Sequence, residues 1–253
     1  MKKILLVLTS TDTMGDTDEK TGYNVAEAAH PWKVFKDAGY FVDFASIKGG
    51  QPPQDDVDES DPIQKDFTSD EATRAGLYNT AKVDVIDADQ YDALYLVGGH
   101  GTMWDFPDNK GLQKLVASVY DDGGVVGAVC HGPAGLLNVE LANGFRMVEG
   151  REVAAFTNDE ERAAGKDSVI PFFLADRLEA EGATHVSADV FEEKVIVDDR
   201  LVTGQNPVSA AGVAKEMVKI LTEVVREEKA EEQHDAEALR ARHDAETDTS
   251  GQE

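Results

Sequence analysis

The single cysteine of this sequence, Cys130, is the residue most strongly indicated to take part in chemistry. The apolar run Val125–Val129 leads directly into it, and His131, Gly132 and Pro133 follow. A buried strand that turns sharply into a helix lifts such a residue out of the sheet, as a nucleophile elbow does. We therefore predict that Cys130 is a nucleophile. The alternative is a buried cysteine that packs as a small apolar side chain.

The residues after Cys130 predict how its thiol is activated. We expect a helix that begins near Gly132, with its positive end directed at the sulfur. Such a helix end lowers the pKa of a thiol and favours the reactive thiolate.

A second glycine-rich turn, Gly98–Thr102, also follows an apolar run. Its glycines allow backbone amides to come close to a substrate oxygen, so the amides of Gly99 and His131 could form an oxyanion hole. An ordinary glycine turn is the alternative. We expect His100 to hydrogen-bond locally and to take no part in the chemistry.

Alternating apolar runs and helical periods indicate the elements that hold these turns. The predicted strands are Ile4–Leu8, Phe41–Ile47, Ala93–Val97 and Val125–Val129, with short ones at Val153–Phe156, Lys194–Val197 and Leu201–Thr203. The predicted helices are Tyr23–Lys36, Leu112–Tyr120, Ile170–Glu181 and Ser209–Val225. Strands that alternate with helices predict an α/β fold with a doubly wound parallel sheet.

Two segments fall outside this alternation. Residues 49–72 are rich in Gly, Pro, Asp and Ser, and we expect a polar insertion over one edge of the sheet. Residues 226–253 hold ten acidic and four basic residues, which predicts a frayed helix or a disordered acidic tail after a domain of residues 1–225. The apolar start of the chain is expected to be the first strand rather than a signal peptide, and we find no apolar stretch of the length that a membrane span needs.

Composition narrows the partners and the compartment. The formal charge of -26, from 50 acidic and 24 basic residues, argues against nucleic acids and anionic membranes as partners. We expect a salt-adapted source in which ions screen this charge; a merely acidic protein is the alternative. A single cysteine allows no internal disulfide, which favours a cytoplasmic location.

Five segments together resemble one known family. They are Thr21–Pro31, Gly98–Pro107, Ala128–Ala134, Ala155–Glu161 and Leu201–Pro207, and the resemblance extends from about Lys2 to Ile220. The sequence is similar to the ThiJ/PfpI (DJ-1) superfamily, and to its heat-shock chaperone and glyoxalase III branch in particular. The resemblance implies a flavodoxin-like three-layer sandwich with a central, mostly parallel sheet, related to class I glutamine amidotransferases.

The same resemblance implies partners for Cys130. The family's acidic residue matches Glu27, whose protonated carboxyl would lie against the sulfur and donate a proton. The catalytic histidine matches His131, and Glu161 would orient it. Glu160 lies next in the sequence, so the choice between the two depends on the motif register. Without the resemblance, the position of Glu27 is typical of a solvated acid near the start of a helix.

Metal and cofactor sites are not expected. Some relatives of the chaperone type bind a metal through two histidines and a glutamate. Here His30 has Phe35 five residues later, and phenylalanine cannot be a ligand. We predict no metal and no cofactor.

The resemblance implies a cofactor-independent glyoxalase III, or D-lactate dehydratase, that converts methylglyoxal to D-lactate through a hemithioacetal on Cys130. A deglycase acting on methylglyoxal adducts, a holdase chaperone and a redox sensor are the alternatives, and a protease or a glutaminase is less favoured. The expected partners are a small aldehyde and, as in relatives, a second copy in a homodimer.

Overall fold

The computed structural model describes residues 1–223. The sheet and the helices that carry the candidate site belong to one unit, Met1–Val218. A second unit begins at Lys219, and its described residues, 219–223, are helical. The predicted tail, 226–253, and the end of the predicted closing helix lie outside the described residues. Within residues 1–223, the helices are too short or too polar to cross a membrane.

The strands and helices alternate along the chain as predicted. Among residues 1–223, the strands are β1 (Lys3–Leu8), β2 (Tyr23–Asn24), β3 (Phe41–Ser46), β4 (Gln54–Asp55), β5 (Ala81–Lys82), β6 (Ala93–Leu96), β7 (Val125–Val129), β8 (Glu152–Val153), β9 (Thr184–His185), β10 (Val195–Asp198) and β11 (Leu201–Gly204). The α-helices of the same residues are α1 (Val25–Asp37), α2 (Pro62–Ser69), α3 (Glu71–Tyr78), α4 (Thr102–Asp105), α5 (Lys110–Asp121), α6 (Asn158–Ala163), α7 (Leu174–Ala180) and α8 (210–223).

Seven of the described strands form one sheet, in the order β10-β11-β7-β6-β1-β3-β5. Neighbouring strands are parallel except β10, which runs antiparallel to β11. The central strands β1, β6 and β7 are buried on both faces, which explains their continuous apolar sequences. Because β6 and β7 are parallel, with Leu96 opposite Ala128, the turns that follow them meet at one edge.

Helices cover both faces of the sheet. Leu96 and Ala128 pack in one cluster with Leu112 and Leu115 of α5. On the opposite face, the ring of Tyr95 lies 6.1 Å from that of Phe35 in α1. The chain therefore has the predicted α/β fold, a three-layer sandwich around a mostly parallel sheet.

The insertion at residues 49–72 is folded and lies beside the start of α1. Its strand β4 pairs with β2, the two residues that lead into α1. Within α2, Phe67 packs edge-on against Trp32 of α1, at 5.5 Å, and against Phe44 of β3, at 5.9 Å. The backbone N–H of Tyr23 donates to the carbonyl of Pro53, at 2.9 Å. These contacts fix the segment from which the first candidate site residue follows.

Among the predicted boundaries that differ from the structure, three have a clear local reason. The first helix begins at Val25 rather than Tyr23, because Asn24 pairs in β2 and then caps the helix. Helix α7 begins at Leu174 rather than Ile170, since Pro171 disfavours helical geometry in the residue before it. The strand predicted over Val153–Phe156 ends at Val153, and the N–H of Ala154 donates instead to the side chain of Thr203.

Candidate active site

Cys130 occupies the turn immediately after β7. Its φ angle is 59°, in the left-handed region that residues other than glycine seldom adopt. The turn is held on both sides, since the N–H of Cys130 donates to Gly204 and its carbonyl accepts from Phe156, each at 2.9 Å. A side chain at Gly132 would collide with the carbonyl oxygen of Leu96, so only glycine fits there. The strand and sharp turn predicted around Cys130 are both present.

The expected lowering of the thiol pKa by a helix end is outweighed by burial. The segment after Cys130 is a five-residue 3₁₀ helix, Gly132–Leu136. Burial is the largest effect and raises the pKa of the Cys130 thiol well above its ordinary value; ionisation of Glu27 would raise it further, and the amide of His131 lowers it. With 4% of its surface exposed, Cys130 is a thiol at rest and needs a base at the moment of reaction.

His131 is placed to be that base. Its Nδ1 lies 3.2 Å from Cys130 Sγ, and its Nε2 lies 2.6 Å from Glu161 Oε1 on the other side of the ring. Burial, and then the charge of His100, lowers the pKa of His131 to about 4, although Glu161 acts in the opposite direction. The ring is therefore neutral near pH 7, with one nitrogen free to accept a proton.

Glu161 determines which nitrogen of His131 is free. Burial alone would raise its pKa, but hydrogen bonds from His100 and His131 outweigh burial and hold the pKa at about 2. An ionised carboxylate has only acceptors, so Nε2 of His131 carries the hydrogen and donates it. Nδ1 then presents its lone pair to the thiol of Cys130.

Glu160, the alternative from the motif register, has a different set of contacts. It closes a capping box with Thr157 at the start of α6, where Oε2 accepts from the Thr157 N–H at 2.9 Å. Its Oε1 accepts from Phe191 N at 2.9 Å, Gln205 Nε2 at 3.0 Å and Asn206 Nδ2 at 2.9 Å. Four donors from the surrounding loops converge on this carboxylate, so Glu160 anchors those loops, and His131 bonds to Glu161 instead.

Glu27 is fully buried in the first turn of α1, with its N–H capped by the side chain of Asn24 at 3.2 Å. Burial raises its pKa to about 8, and the thiol of Cys130 and the amide of Gly98 lower it only in part. Among the described residues, no group makes a complete hydrogen bond to either oxygen of the Glu27 carboxyl. A side chain at Gly98 would collide with the Glu27 carboxyl. At neutral pH, Glu27 is therefore mostly a neutral acid beside Cys130.

His100 makes a long-range contact rather than the expected local one. Its Nε2 lies 3.0 Å from Glu161 Oε1, the oxygen that also accepts from His131. The ring of His100 lies 4.1 Å from that of His131 and 6.0 Å from that of Phe156, measured between centroids. The two imidazoles thus share one carboxylate oxygen.

Gly99 lies in the turn after β6, next to the turn that holds Cys130. Its φ angle is 105°, and a side chain there would collide with the backbone of Gly22 and Asn24. The amide of His131 lies close enough to the sulfur of Cys130 to lower the pKa of the thiol. The oxyanion hole formed by Gly99 and His131 stays a prediction.

The described residues bring three possible metal ligands together. One atom each from His100, His131 and Glu161 lies within 4.8 Å of the others. These atoms are already joined by hydrogen bonds, and a metal on His131 Nε2 would displace the hydrogen that keeps Nδ1 free. His30, considered earlier as a ligand, bonds to Asp61 at 2.7 Å. The prediction that the chain binds no metal stays a prediction.

Comparison with known proteins places the chain in a family. Residues 20–220 match the DJ-1/PfpI family. The chain belongs to the DJ-1/PfpI family. It is 34% identical to Glyoxalase 3 of Candida albicans over 236 residues, which cover 86% of this chain and 98% of that protein. It is 35% identical to a glutathione-independent glyoxalase of Saccharomyces cerevisiae over 238 residues, covering 87% and 98%.

A solved structure agrees with this assignment to the DJ-1/PfpI family. The X-ray structure of the 24 kDa Rapid Encystment Protein of Francisella tularensis has a TM-score of 0.84 and 38% identity to the chain. The comparison covers 87% of this chain and 99% of that one. The sandwich and its turns are therefore shared over nearly the whole length of that protein.

The supporting roles of several residues around this DJ-1/PfpI site were not predicted from the sequence. Asn24 stands three residues before Glu27, which is the spacing of a helix cap. Glu160 stands three residues after Thr157, the pattern of a capping box. Both patterns can be recognised in the sequence. The need for glycine at residue 98 cannot, because it arises from a carboxyl on a helix that is distant in the sequence.

Proposed function

We propose that this protein is a glutathione-independent glyoxalase that converts methylglyoxal to D-lactate without a cofactor. The observation that carries the proposal is the placement of Cys130 between a neutral base, His131, and a neutral acid, Glu27. Relatives named as glyoxalases match more than four fifths of the chain and support the choice of substrate class.

The first step uses both neutral partners of Cys130. The thiol proton passes to Nδ1 of His131, and the sulfur attacks the aldehyde carbon of methylglyoxal. Glu27 gives its proton to the carbonyl oxygen as the S–C bond forms, so no alkoxide is left in a buried site. The proton on His131 then passes to the Glu27 carboxylate by way of the new hydroxyl, and both groups are neutral again.

The second step moves hydrogen between the two carbons of the bound adduct. Neutral His131 takes the proton from the former aldehyde carbon, and the electron pair forms an enediolate. The hydroxyl proton on the oxygen of that carbon passes to the oxygen of the neighbouring carbon. His131 returns the proton to the neighbouring carbon, so the adduct becomes a thioester of lactate. Water then cleaves the S–C bond, which releases lactate and leaves the Cys130 proton in place. The sum is methylglyoxal plus water giving lactate.

The closure of the site favours a small free aldehyde over a protein-bound adduct. Cys130, His131 and Glu27 are 4%, 1% and 0% exposed. A three-carbon substrate needs little opening to reach the sulfur, whereas a glycated side chain carries its own backbone with it. This supports the glyoxalase over the deglycase, which would use the same nucleophile.

The decisive assay uses the purified full chain with methylglyoxal, in buffer without glutathione. We expect the wild type to form lactate, detected with enzymes specific for each enantiomer, with the D form in excess. We expect Cys130→Ala to form none while its circular dichroism and unfolding temperature stay close to those of the wild type. Retention of activity by Cys130→Ala would refute the covalent route.

A second arm separates the alternatives. Lactate release from methylglyoxal-treated peptide is measured while a chemical scavenger that forms no lactate removes the free aldehyde. Loss of lactate release in this arm is expected for a glyoxalase, and continued release would favour the deglycase. Protection of a client protein from aggregation by Cys130→Ala would indicate a holdase chaperone instead.

We also propose the assembly and setting in which the enzyme works. A formal charge of -26 supports a salt-adapted source, and a single cysteine supports a cytoplasmic location. We propose a homodimer, a catalytic domain of residues 1–225 with the insertion at 49–72, and an acidic appendage at residues 226–253. Sedimentation of the full chain at high salt measures the assembly.

A further inference from the structure

His100 is placed next to the catalytic pair by a turn that is itself fastened to His131. In that turn, the N–H of Thr102 donates to the carbonyl of Gly99 at 3.2 Å. The hydroxyl of Thr102 lies 2.9 Å from the same carbonyl and 3.0 Å from the carbonyl of His131. The backbone of His131 and the loop of His100 therefore move together.

The contact of His100 with Glu161 puts two donors on one oxygen. His100 Nε2 lies 3.0 Å and His131 Nε2 lies 2.6 Å from Glu161 Oε1, while Oε2 has no partner among the described residues. A carboxylate with one empty oxygen could turn to bind His131 through either atom, or turn away. A second donor on Oε1 removes that freedom.

We propose that His100 is a positioning residue that holds Glu161 Oε1 against Nε2 of His131. By doing so it keeps the hydrogen of His131 on Nε2 and the lone pair of Nδ1 on Cys130. His100 does not touch the reacting atoms; it acts through Glu161. The inference deepens the proposed function, because it concerns the same site, but its main readout needs no substrate.

The exposed fractions of the His100 and His131 side chains support different roles for the two residues. The side chain of His100 is 17% exposed, against 1% for His131. At a ring separation of 4.1 Å, a charge on one imidazole opposes a charge on the other, and His100 accordingly lowers the pKa of His131. His131 therefore stays neutral and able to accept the thiol proton.

A purely packing role is the competing explanation, and two substitutions separate it. His100→Phe keeps an aromatic ring packed against His131 and Phe156 but has no donor. His100→Gln loses the ring and keeps an N–H donor of similar reach. His30→Phe is the matched control, since it removes a histidine–carboxylate bond of 2.7 Å to Asp61 outside the site.

The test measures the alkylation of Cys130 by iodoacetamide across pH. The chain has one cysteine, so the rate reports this thiol alone. We expect His100→Phe to slow alkylation at neutral pH by about tenfold, the size of one charge-assisted hydrogen bond, and to lower kcat similarly with little change in KM. We expect His100→Gln to recover most of that loss, and His30→Phe to alkylate at the wild-type rate.

A second measurement uses the wild type alone and does not depend on how the variants fold. Nitrogen-15 shifts of the six histidines identify the tautomer of each neutral ring. We expect His131 and His100 both to carry hydrogen on Nε2.

Each contrary outcome overturns the inference. Wild-type alkylation in His100→Phe would show that the donor is not needed. Equal losses in His100→Phe and His100→Gln would show that the ring matters and the donor does not. A hydrogen on Nδ1 of His131 in the wild type would exclude the arrangement. If the alkylation pattern holds and no lactate forms, the proposed reaction fails while the role of His100 stands.

Discussion

Cys130 Sγ lies 3.2 Å from Nδ1 of His131, on the side of the ring that Glu161 leaves free. Burial keeps the thiol protonated, so this contact, rather than a helix end, provides the route by which the sulfur becomes a nucleophile. Because the pKa of His131 is lowered to about 4, the imidazole is neutral near pH 7, and its contact with Glu161 assigns the hydrogen to Nε2. The site therefore rests uncharged at Cys130, His131 and Glu27, and separates charge only during turnover.

Replacement of Glu27 by glutamine removes the acid without removing its shape. We expect Glu27→Gln to lower kcat by roughly 10²–10⁴-fold, the usual range for general acid catalysis, because no proton is then supplied to the oxyanion. Steady-state kinetics with methylglyoxal measure it. Glu71→Gln, at an exposed acid in the first turn of α3, is the control and keeps wild-type kinetics. A similar kcat in Glu27→Gln and wild type would contradict the acid role.

The same substitution has an opposite effect on folding at higher pH. The carboxyl ionises near 4.5 when unfolded and near 8 in the folded chain. Between these values only the folded state holds the proton, so the wild type loses stability as pH rises. We expect Glu27→Gln to lack this loss and to gain in unfolding free energy relative to the wild type from about pH 5 to about pH 8. Urea unfolding followed by fluorescence measures the difference, and a constant difference would contradict the raised pKa.

Two adjacent glutamates are expected to fail in different ways. Glu161→Gln replaces the acceptor that orients His131, and we expect a loss in kcat on the order of 10²-fold or more with little change in stability. Glu160→Gln weakens four hydrogen bonds to a buried carboxylate, and we expect a loss of roughly 3 kcal/mol in unfolding free energy. Activity per folded molecule and unfolding temperature are measured for both.

The contrast between the two variants is the test. If Glu160→Gln abolished turnover in a fully folded protein, the motif register would have to shift by one residue. If Glu161→Gln unfolded the chain and Glu160→Gln did not, Glu161 would be the residue that anchors the loops and Glu160 the one that orients His131.

Metal removal is expected to leave the enzyme unchanged. The cluster of His100, His131 and Glu161 is joined by hydrogen bonds that a metal would displace. We expect dialysis against a chelator to leave kcat and KM as they were, and elemental analysis of the untreated protein to give less than one metal per chain. A loss of activity that added zinc restores would overturn this.

Salt is expected to stabilise the fold. The acidic residues that give the formal charge of -26 repel one another most strongly in the compact state. The Debye screening length falls from about 10 Å at 0.1 M salt to about 3 Å at 1 M. We expect the unfolding temperature to rise steadily with potassium chloride. An equal osmolality of sucrose is the control, because it strengthens burial without screening charge. Full stability at low ionic strength would argue against salt adaptation.

The sequence by itself determined the layered fold and the central residue of the site. Continuous apolar runs before Gly98 and Cys130 predicted buried parallel strands, and parallel strands bring their following turns to one edge. The spacing of apolar residues, and the Gly and Pro residues that end elements, are local properties, so they can be recognised in the sequence. The roles of Glu27 and Glu161 came from motif resemblance, since these residues lie so far from Cys130 in the chain that the sequence carries no local signal of their contact.

Only the tertiary structure decided the protonation of the site. Burial of Cys130 raised a pKa that the nearby helix end was expected to lower. Four donors converging on Glu160 from three loops left Glu161 for His131, a choice that the sequence register could not make. His100 reaches Glu161 across 61 residues of chain. Desolvation and shared hydrogen bonds depend on which distant segments surround a group, and that is fixed only when the chain has folded.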